Sequence, residues 1–213
     1  MGRPRSPKGR ALATHRRLAV EYPEAICELD FRNPFELLVA TILAAQATDV
    51  SVNKVTPTLF ARFKDAEDLA AVEPEQVESY VNSIGLFRSK SKNLVGMARM
   101  LVEDYHGKVP EKLTDLIRLP GVGRKTANVV RSVALGLPGL PVDTHVTRLS
   151  QRIGLTAFTD PTKIEKELNP MIPAKERGEF SLRMILHGRR VCKARKPDCE
   201  NCVLNDFCPS SAI

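Results

Sequence analysis

Two groups of residues in this sequence have types and spacings suited to chemistry. The first is Leu119-Pro120-Gly121-Val122-Gly123-Arg124-Lys125-Thr126-Ala127, followed within twenty residues by Val142-Asp143-Thr144-His145. The second is a set of four cysteines, Cys192, Cys199, Cys202 and Cys208, spaced Cys-x6-Cys-x2-Cys-x5-Cys. Around Gly121 and Gly123 the chain can turn tightly, and amides left free from Gly121 to Arg124 at the start of a following helix suit an anionic phosphate. Lys125 falls in that first turn, where the positive end of the helix dipole opposes a cation, so it invites a functional explanation. The plainer alternatives are that Lys125 is a solvated surface charge and that Asp143 caps a helix; capping does not preclude catalysis. Four soft thiolates can hold zinc or an iron–sulfur cluster. Zinc sites with four cysteines usually pair two Cys-x2-Cys knuckles, and only one is present, so the spacing favours a [4Fe-4S] cluster. The loop inside the cysteine set carries Lys193, Arg195 and Lys196, three cations suited to phosphate contacts.

The elements that must position these groups read as helices throughout. Leu113, Leu116 and Ile117 before the glycines, and Ala127, Val130, Val133 and Ala134 after them, repeat at helical spacing and predict helix, hairpin, helix. Upstream, Ala11 to Glu21 predicts a first amphipathic helix. Asn33-Pro34-Phe35-Glu36 then gives a cap, a first-turn proline and an acid at the third helical position. The run from Leu37 to Ala45 is apolar all round, so this helix should be central; Gln46 and Asp49 break its end. Further helices are expected through Val52 to Phe63 and from Pro74 to Gly85. After a Leu86–Lys90 bridge, another should run to Gly107. Beyond the Pro-Gly segment near residue 138, helices are expected through Val146 to Gly154, after Asp160-Pro161, and through Phe180 to Gly188. The prediction is an all-α fold.

Composition limits the partners. The 213 residues carry a net charge of +7, with no acidic residue before Glu21 and five Lys or Arg between Gly188 and Pro197. That balance points to a polyanion. No apolar run is long enough for a membrane span, and Met1 to Arg10 lacks the apolar core of a signal peptide. The segment is expected to be a short disordered basic tail, and the protein cytoplasmic, or nucleoid-associated if bacterial. Cys27, apart from the other four, reads as a small buried apolar residue.

The hairpin, the Val142–His145 segment, Ala45-Gln46-Ala47-Thr48-Asp49 and the cysteine spacing together resemble the endonuclease III family of DNA glycosylases, in the helix-hairpin-helix superfamily. The resemblance covers nearly the whole chain. It implies a six-helix barrel-like domain at 27–137 holding the hairpin. A discontinuous helical domain, 1–26 with 138–213, would carry a [4Fe-4S] cluster on Cys192, Cys199, Cys202 and Cys208. Double-stranded DNA with damaged bases or abasic sites would be the partner of a monomer, gripped in part by Gly121, Gly123, Arg124, Lys193, Arg195 and Lys196, with no membrane involved. Because a stacked base cannot be cut from its sugar, the nucleotide must be flipped out. In the family, Leu86 would fill the gap and Gln46 would face the orphaned base. Phe87, beside them, would bear on which opposite base is tolerated. Lys125 would attack C1′ as a neutral amine, and Asp143 would take its proton or stabilise charge developing on the sugar. β-Elimination from the Schiff base would then nick the strand 3′ to the site. The implied substrates are oxidised pyrimidines such as thymine glycol, and abasic sites. Two rivals remain: a monofunctional mismatch-adenine glycosylase, whose hairpin helix lacks a lysine, and a non-catalytic helix-hairpin-helix DNA-binding module, which needs the glycines but neither Lys125 nor Asp143.

Overall fold

A computed structural model describes residues 3–213, and no strand occurs among them. No described helix is long and apolar enough to cross a membrane. Two compact units make up the chain: residues up to Ile26 with Pro138–Ile213, and Cys27–Leu137.

The Cys27–Leu137 unit is built around α2 (Pro34–Leu43). Asn33 caps it by accepting from the Glu36 N–H at 3.0 Å, and Pro34 supplies the preset first turn. Its first-turn acid, Glu36, is only 2% exposed, yet it takes the Arg32 main-chain N–H at 2.7 Å and the Arg32 Nε at 2.9 Å. Every residue from Phe35 to Leu43 except Thr41 is buried. An all-round apolar helix has no face to give to water, so others must surround it. Around it lie α3 (Asp49–Arg62), α6 (Phe87–Tyr105) and α8 (Arg124–Val129). The short α4 (Ala66–Ala70) and α5 (Pro74–Val81) pack on α6, and α7 (Leu113–Leu116) packs on α8.

Several boundaries differ from those expected. α6 begins at Phe87, so the expected bridge Leu86–Lys90 is one left-handed residue, Leu86 (φ 61), followed directly by helix. α4 was not anticipated; Asp65, whose side chain accepts from the Asp68 N–H at 2.8 Å, starts it. The helix after the hairpin does not run uniformly to Ala134: Val130–Ala134 widens into a π turn, with Leu135 N–H donating to Val130 O. Such turns insert one extra residue and shift the side chains beyond them.

In the other unit, α1 (Pro7–Glu21) packs against α11 (Arg177–Arg190), α11 against α9 (Thr144–Arg152), and α9 against α10 (Pro161–Leu168). Leu18, Val146, Leu149, Ile164, Phe180 and Met184 fill its core. The basic tail is shorter than expected. Ser6 Oγ accepts from the Gly9 N–H and Pro7 opens the helix, so Pro7–Arg10 is helical. Met1 and Gly2 lie outside the described residues. α11 runs past Gly188 to Arg190. Arg17 on α1 pairs with Asp206, donates to Val203 O at 2.7 Å, and lies 5.0 Å from the Phe207 ring. These contacts fasten the N-terminal helix to the C-terminal cysteine segment.

In the hairpin the two glycines have different tasks. Gly121 has φ +78, and a Cβ there would meet Asn93 Cβ at 2.9 Å. Gly123 is extended (φ −85, ψ 171), a conformation open to any residue, and a Cβ there would meet nothing within 4 Å. The expectation that both supply turn freedom therefore holds only for Gly121. Gly121→Ala should lower stability by about 1–2 kcal/mol, from left-handed strain and crowding, in a urea titration. Gly123→Ala should change it by less than about 0.5 kcal/mol.

Candidate functional site

Lys125 is the second residue of α8 and is exposed; Arg124 before it is half-buried. Gly123, the cap residue, offers no side-chain oxygen to the amides of the first turn. The Val122 amide is not free as the sequence suggested: it closes the turn onto Leu119 O at 3.0 Å. Gly121 and Gly123 are both exposed. Cys27 lies close by, half-buried rather than fully enclosed. Burial pushes its thiol pKa up, the Asp49 and Glu28 carboxylates push the same way, and the Lys125 charge opposes them. The starts of α3 and α8 therefore both act on the segment entering α2.

Besides His106 at the end of α6, two exposed residues of this unit other than glycine have left-handed backbone. Gln46 follows α2 with φ 56, and Leu86 precedes α6 with φ 61; the Leu86 side chain is 62% exposed. Each left-handed residue costs roughly 1–2 kcal/mol, so the surrounding structure must hold them there. A large apolar side chain standing in water on strained backbone serves no core.

Asp143 belongs to the other unit, and the capping role read from sequence is realised: its Oδ1 accepts from the Val146 N–H at 2.8 Å and starts α9. The cap uses one carboxylate oxygen and leaves Oδ2. The far end of α9 holds the cysteine loop. Arg148 Nη2 donates to Cys192 O and Gly188 O, both at 2.9 Å. Arg152 donates to Lys193 O at 2.7 Å, Ala194 O at 2.9 Å and Cys192 Sγ at 3.3 Å. Lys193, Arg195 and Lys196 are thereby exposed on an anchored backbone, with Lys196 itself left-handed (φ 51). The sequence reading missed these two arginines. Their four-residue spacing on one helix face, at positions five and nine after Asp143, was the available signal.

All four C-terminal cysteines line one cavity, with Arg152, Val191, Pro197 and Asn205. None is in a disulfide. Burial pushes the Cys202 thiol up to about 11, and negative charge on Cys192, Cys208 and Cys199 pushes it the same way; burial also raises Cys208. Four thiols so placed resist ionising together, and a cationic metal centre removes that penalty. The donor set fits an iron–sulfur cluster held by Cys192, Cys199, Cys202 and Cys208. His187, also missed, packs here: burial lowers its pKa to about 4, so it is neutral at physiological pH. Its Nδ1 lies 3.1 Å from Tyr22 Oη and its Nε2 3.3 Å from Cys202 Sγ.

Comparison with known proteins agrees with this geometry. Residues 39–174 match the model of the HhH-GPD superfamily base excision DNA repair proteins, and residues 192–208 match that of the iron–sulfur binding domain of endonuclease III. The chain is 53% identical over 191 residues to an endonuclease III of Synechocystis sp., covering 89% of this chain and 87% of that one. It is 47% identical over 188 residues to an endonuclease III of Bacillus subtilis, covering 88% and 86%. A solved structure of a trapped endonuclease III–DNA covalent intermediate superimposes with a TM-score of 0.89 at 45% identity, covering 96% of each chain. A thermostable thymine-DNA glycosylase shares the fold with a TM-score of 0.86 at 22% identity. By sequence, fold and cysteine loop alike, this chain belongs to the endonuclease III family of base excision DNA repair glycosylases and AP lyases.

Proposed function

We propose that Lys125 is the amine that carries the reaction and Asp143 the carboxylate that serves it. The observation behind this is the placement of Lys125: exposed in the first turn of α8, beside two exposed glycines, one of which the fold does not require. An absent side chain at Gly123 lets a phosphate approach the backbone closely, which would bring a sugar near Lys125 Nζ. A similar chain was solved as a trapped covalent intermediate with DNA, which supports an amine nucleophile here.

In the proposed sequence, the neutral Lys125 amine bonds to C1′ as the N-glycosidic bond breaks and the base leaves with that electron pair. Asp143 receives the proton lost by nitrogen, or balances the positive charge that spreads over the ring as the bond lengthens. The sugar ring then opens: the C1′–O4′ bond breaks as nitrogen forms the C=N bond and O4′ takes up a proton, and the resulting Schiff base makes the C2′ proton acidic. Its loss breaks the C3′–O bond, leaving a nick on the 3′ side. Oxidised pyrimidines such as thymine glycol, and abasic sites, are the substrates of this reading. Leu86 enters the stack where the nucleotide leaves, and Gln46 faces the unpaired base. Arg124, Lys193, Arg195 and Lys196 contact phosphates. The protein works as a monomer in the cytoplasm.

Cys192, Cys199, Cys202 and Cys208 would hold a [4Fe-4S] cluster, which supplies cationic charge for the thiolates and ties four points of the chain together. Its part is structural, and base removal takes place on Lys125 and Asp143. The purified protein should be yellow-brown with about four irons per chain by metal analysis. Cys202→Ser should lose that colour and melt at lower temperature in a thermal scan; a colourless protein with one zinc would overturn the assignment.

Borohydride added during reaction with duplex containing one thymine glycol, or one abasic site, should trap a covalent adduct with both. Lys125→Ala should abolish it while leaving DNA affinity within about threefold, since one phosphate-independent contact is lost. Equal loss of binding and cutting would instead favour a binding module. Lys193→Ala should weaken binding to all sequences and lower the slope of log affinity against log salt by about one unit.

A further inference from the structure

Lys90 is a buried cation with no role in the reaction described above. It lies on the first turn of α6 and is 4% exposed, and burial lowers the pKa of its ammonium. Among the described residues its Nζ has one polar partner, Leu43 O, at 2.9 Å. Leu43 ends α2, so this carbonyl is one that the helix itself leaves open, at the negative end of its dipole. The Lys90 main-chain N–H makes the first helical bond of α6, to Leu86 O at 3.0 Å, as any residue there would, so the ammonium is what is particular to lysine. One residue thus bonds directly to Leu86 and to a point three residues before Gln46. Gln46 and Leu86 are left-handed and exposed; the third such non-glycine residue described in this unit, His106, lies at the far end of α6.

A lysine ammonium is costly to bury, and a methionine or leucine would fill comparable space without that cost. What the ammonium adds is a directional tie between the end of α2 and the start of α6. We propose that Lys90 is a positioning residue for nucleotide flipping: its ammonium ties Leu43 O at the end of α2 to the first turn of α6, which starts at Leu86, and so fixes the separation at which Gln46 and Leu86 enter the duplex. This rests on the assignment of Gln46 and Leu86 to the opened base stack. A pair of side chains replacing one nucleotide must arrive in register, and small displacements of catalytic or wedging groups cost rate steeply.

Lys90→Met removes the donor and keeps the length and apolar packing of the stem. The test compares single-turnover base release from thymine glycol paired in a duplex with release from the same lesion inside an unpaired bubble, where no stack need be opened. The holoprotein is used throughout, and Leu86→Ala and the double variant are run beside it. Lys90→Met should slow release from the paired duplex by about tenfold and from the bubble by much less, as loss of a charged hydrogen bond implies. The double variant should be no slower than Leu86→Ala alone, because both changes act on one step. Equal slowing on both substrates, or additive losses in the double variant, would show that Lys90 only supports the fold and would overturn the proposal. If Leu86→Ala itself fails to distinguish the substrates, the wedge assignment falls and the proposal with it. Should Lys90→Met not fold, Lys90→Gln, which keeps a donor too short to reach Leu43 O, gives the same comparison.

Discussion

The unit formed by the two chain ends depends on how α9 is held at both of its ends. At the first turn, Asp143 Oδ1 takes the Val146 amide; at the last, Arg148 and Arg152 give their protons to the carbonyls of Gly188, Cys192, Lys193 and Ala194. A helix of nine residues is short enough to behave as one rigid piece. The carboxylate that chemistry would use and the cations that phosphate would meet are therefore set by a single element. A cap that only stabilised the helix would not need to be an acid, since serine, threonine or asparagine accept the same amide.

The unit at 27–137 solves its problem by the opposite means. Its central helix is buried on all sides, so nothing on α2 itself can face a partner. The proposed DNA contacts therefore lie where helices end: the Gln46 loop, the Leu86 entry to α6, and the hairpin before α8. At such ends amides and carbonyls lack helical partners, and either a side chain, a turn or a ligand must satisfy them. The Val122 amide finds Leu119 O and the Leu43 carbonyl finds Lys90, whereas the glycine at 123 brings no side-chain cap to its own helix.

Much of this was legible in the sequence because it rests on local chemistry. Asn33-Pro34 before an apolar run states both a cap and a buried helix; Gly121 in a hairpin and Asp143 before Val146 do likewise. The cysteine spacing announces a metal centre without any knowledge of the fold. What could not be read are contacts that bring distant segments together. Arg148 and Arg152 look like surface charges until the loop they hold is placed beside them. Lys90 has no sequence mark of burial, and His187 shows its neutrality only once Tyr22 surrounds it. The π turn at 130–134 is likewise invisible, since Val130 and Val133 suit an ordinary helix equally well.

The pairing of Arg17 with Asp206 spans 189 positions along the chain. As the polypeptide emerges from the ribosome, α1 precedes the whole of Cys27–Leu137 and cannot find that partner until Asp206 has appeared. The intervening Cys27–Leu137 segment holds its own core and can complete itself while the N-terminal helix waits. The pairing of Arg17 with Asp206 thus requires the longest wait of the contacts described, since it closes across the whole of the unit between them.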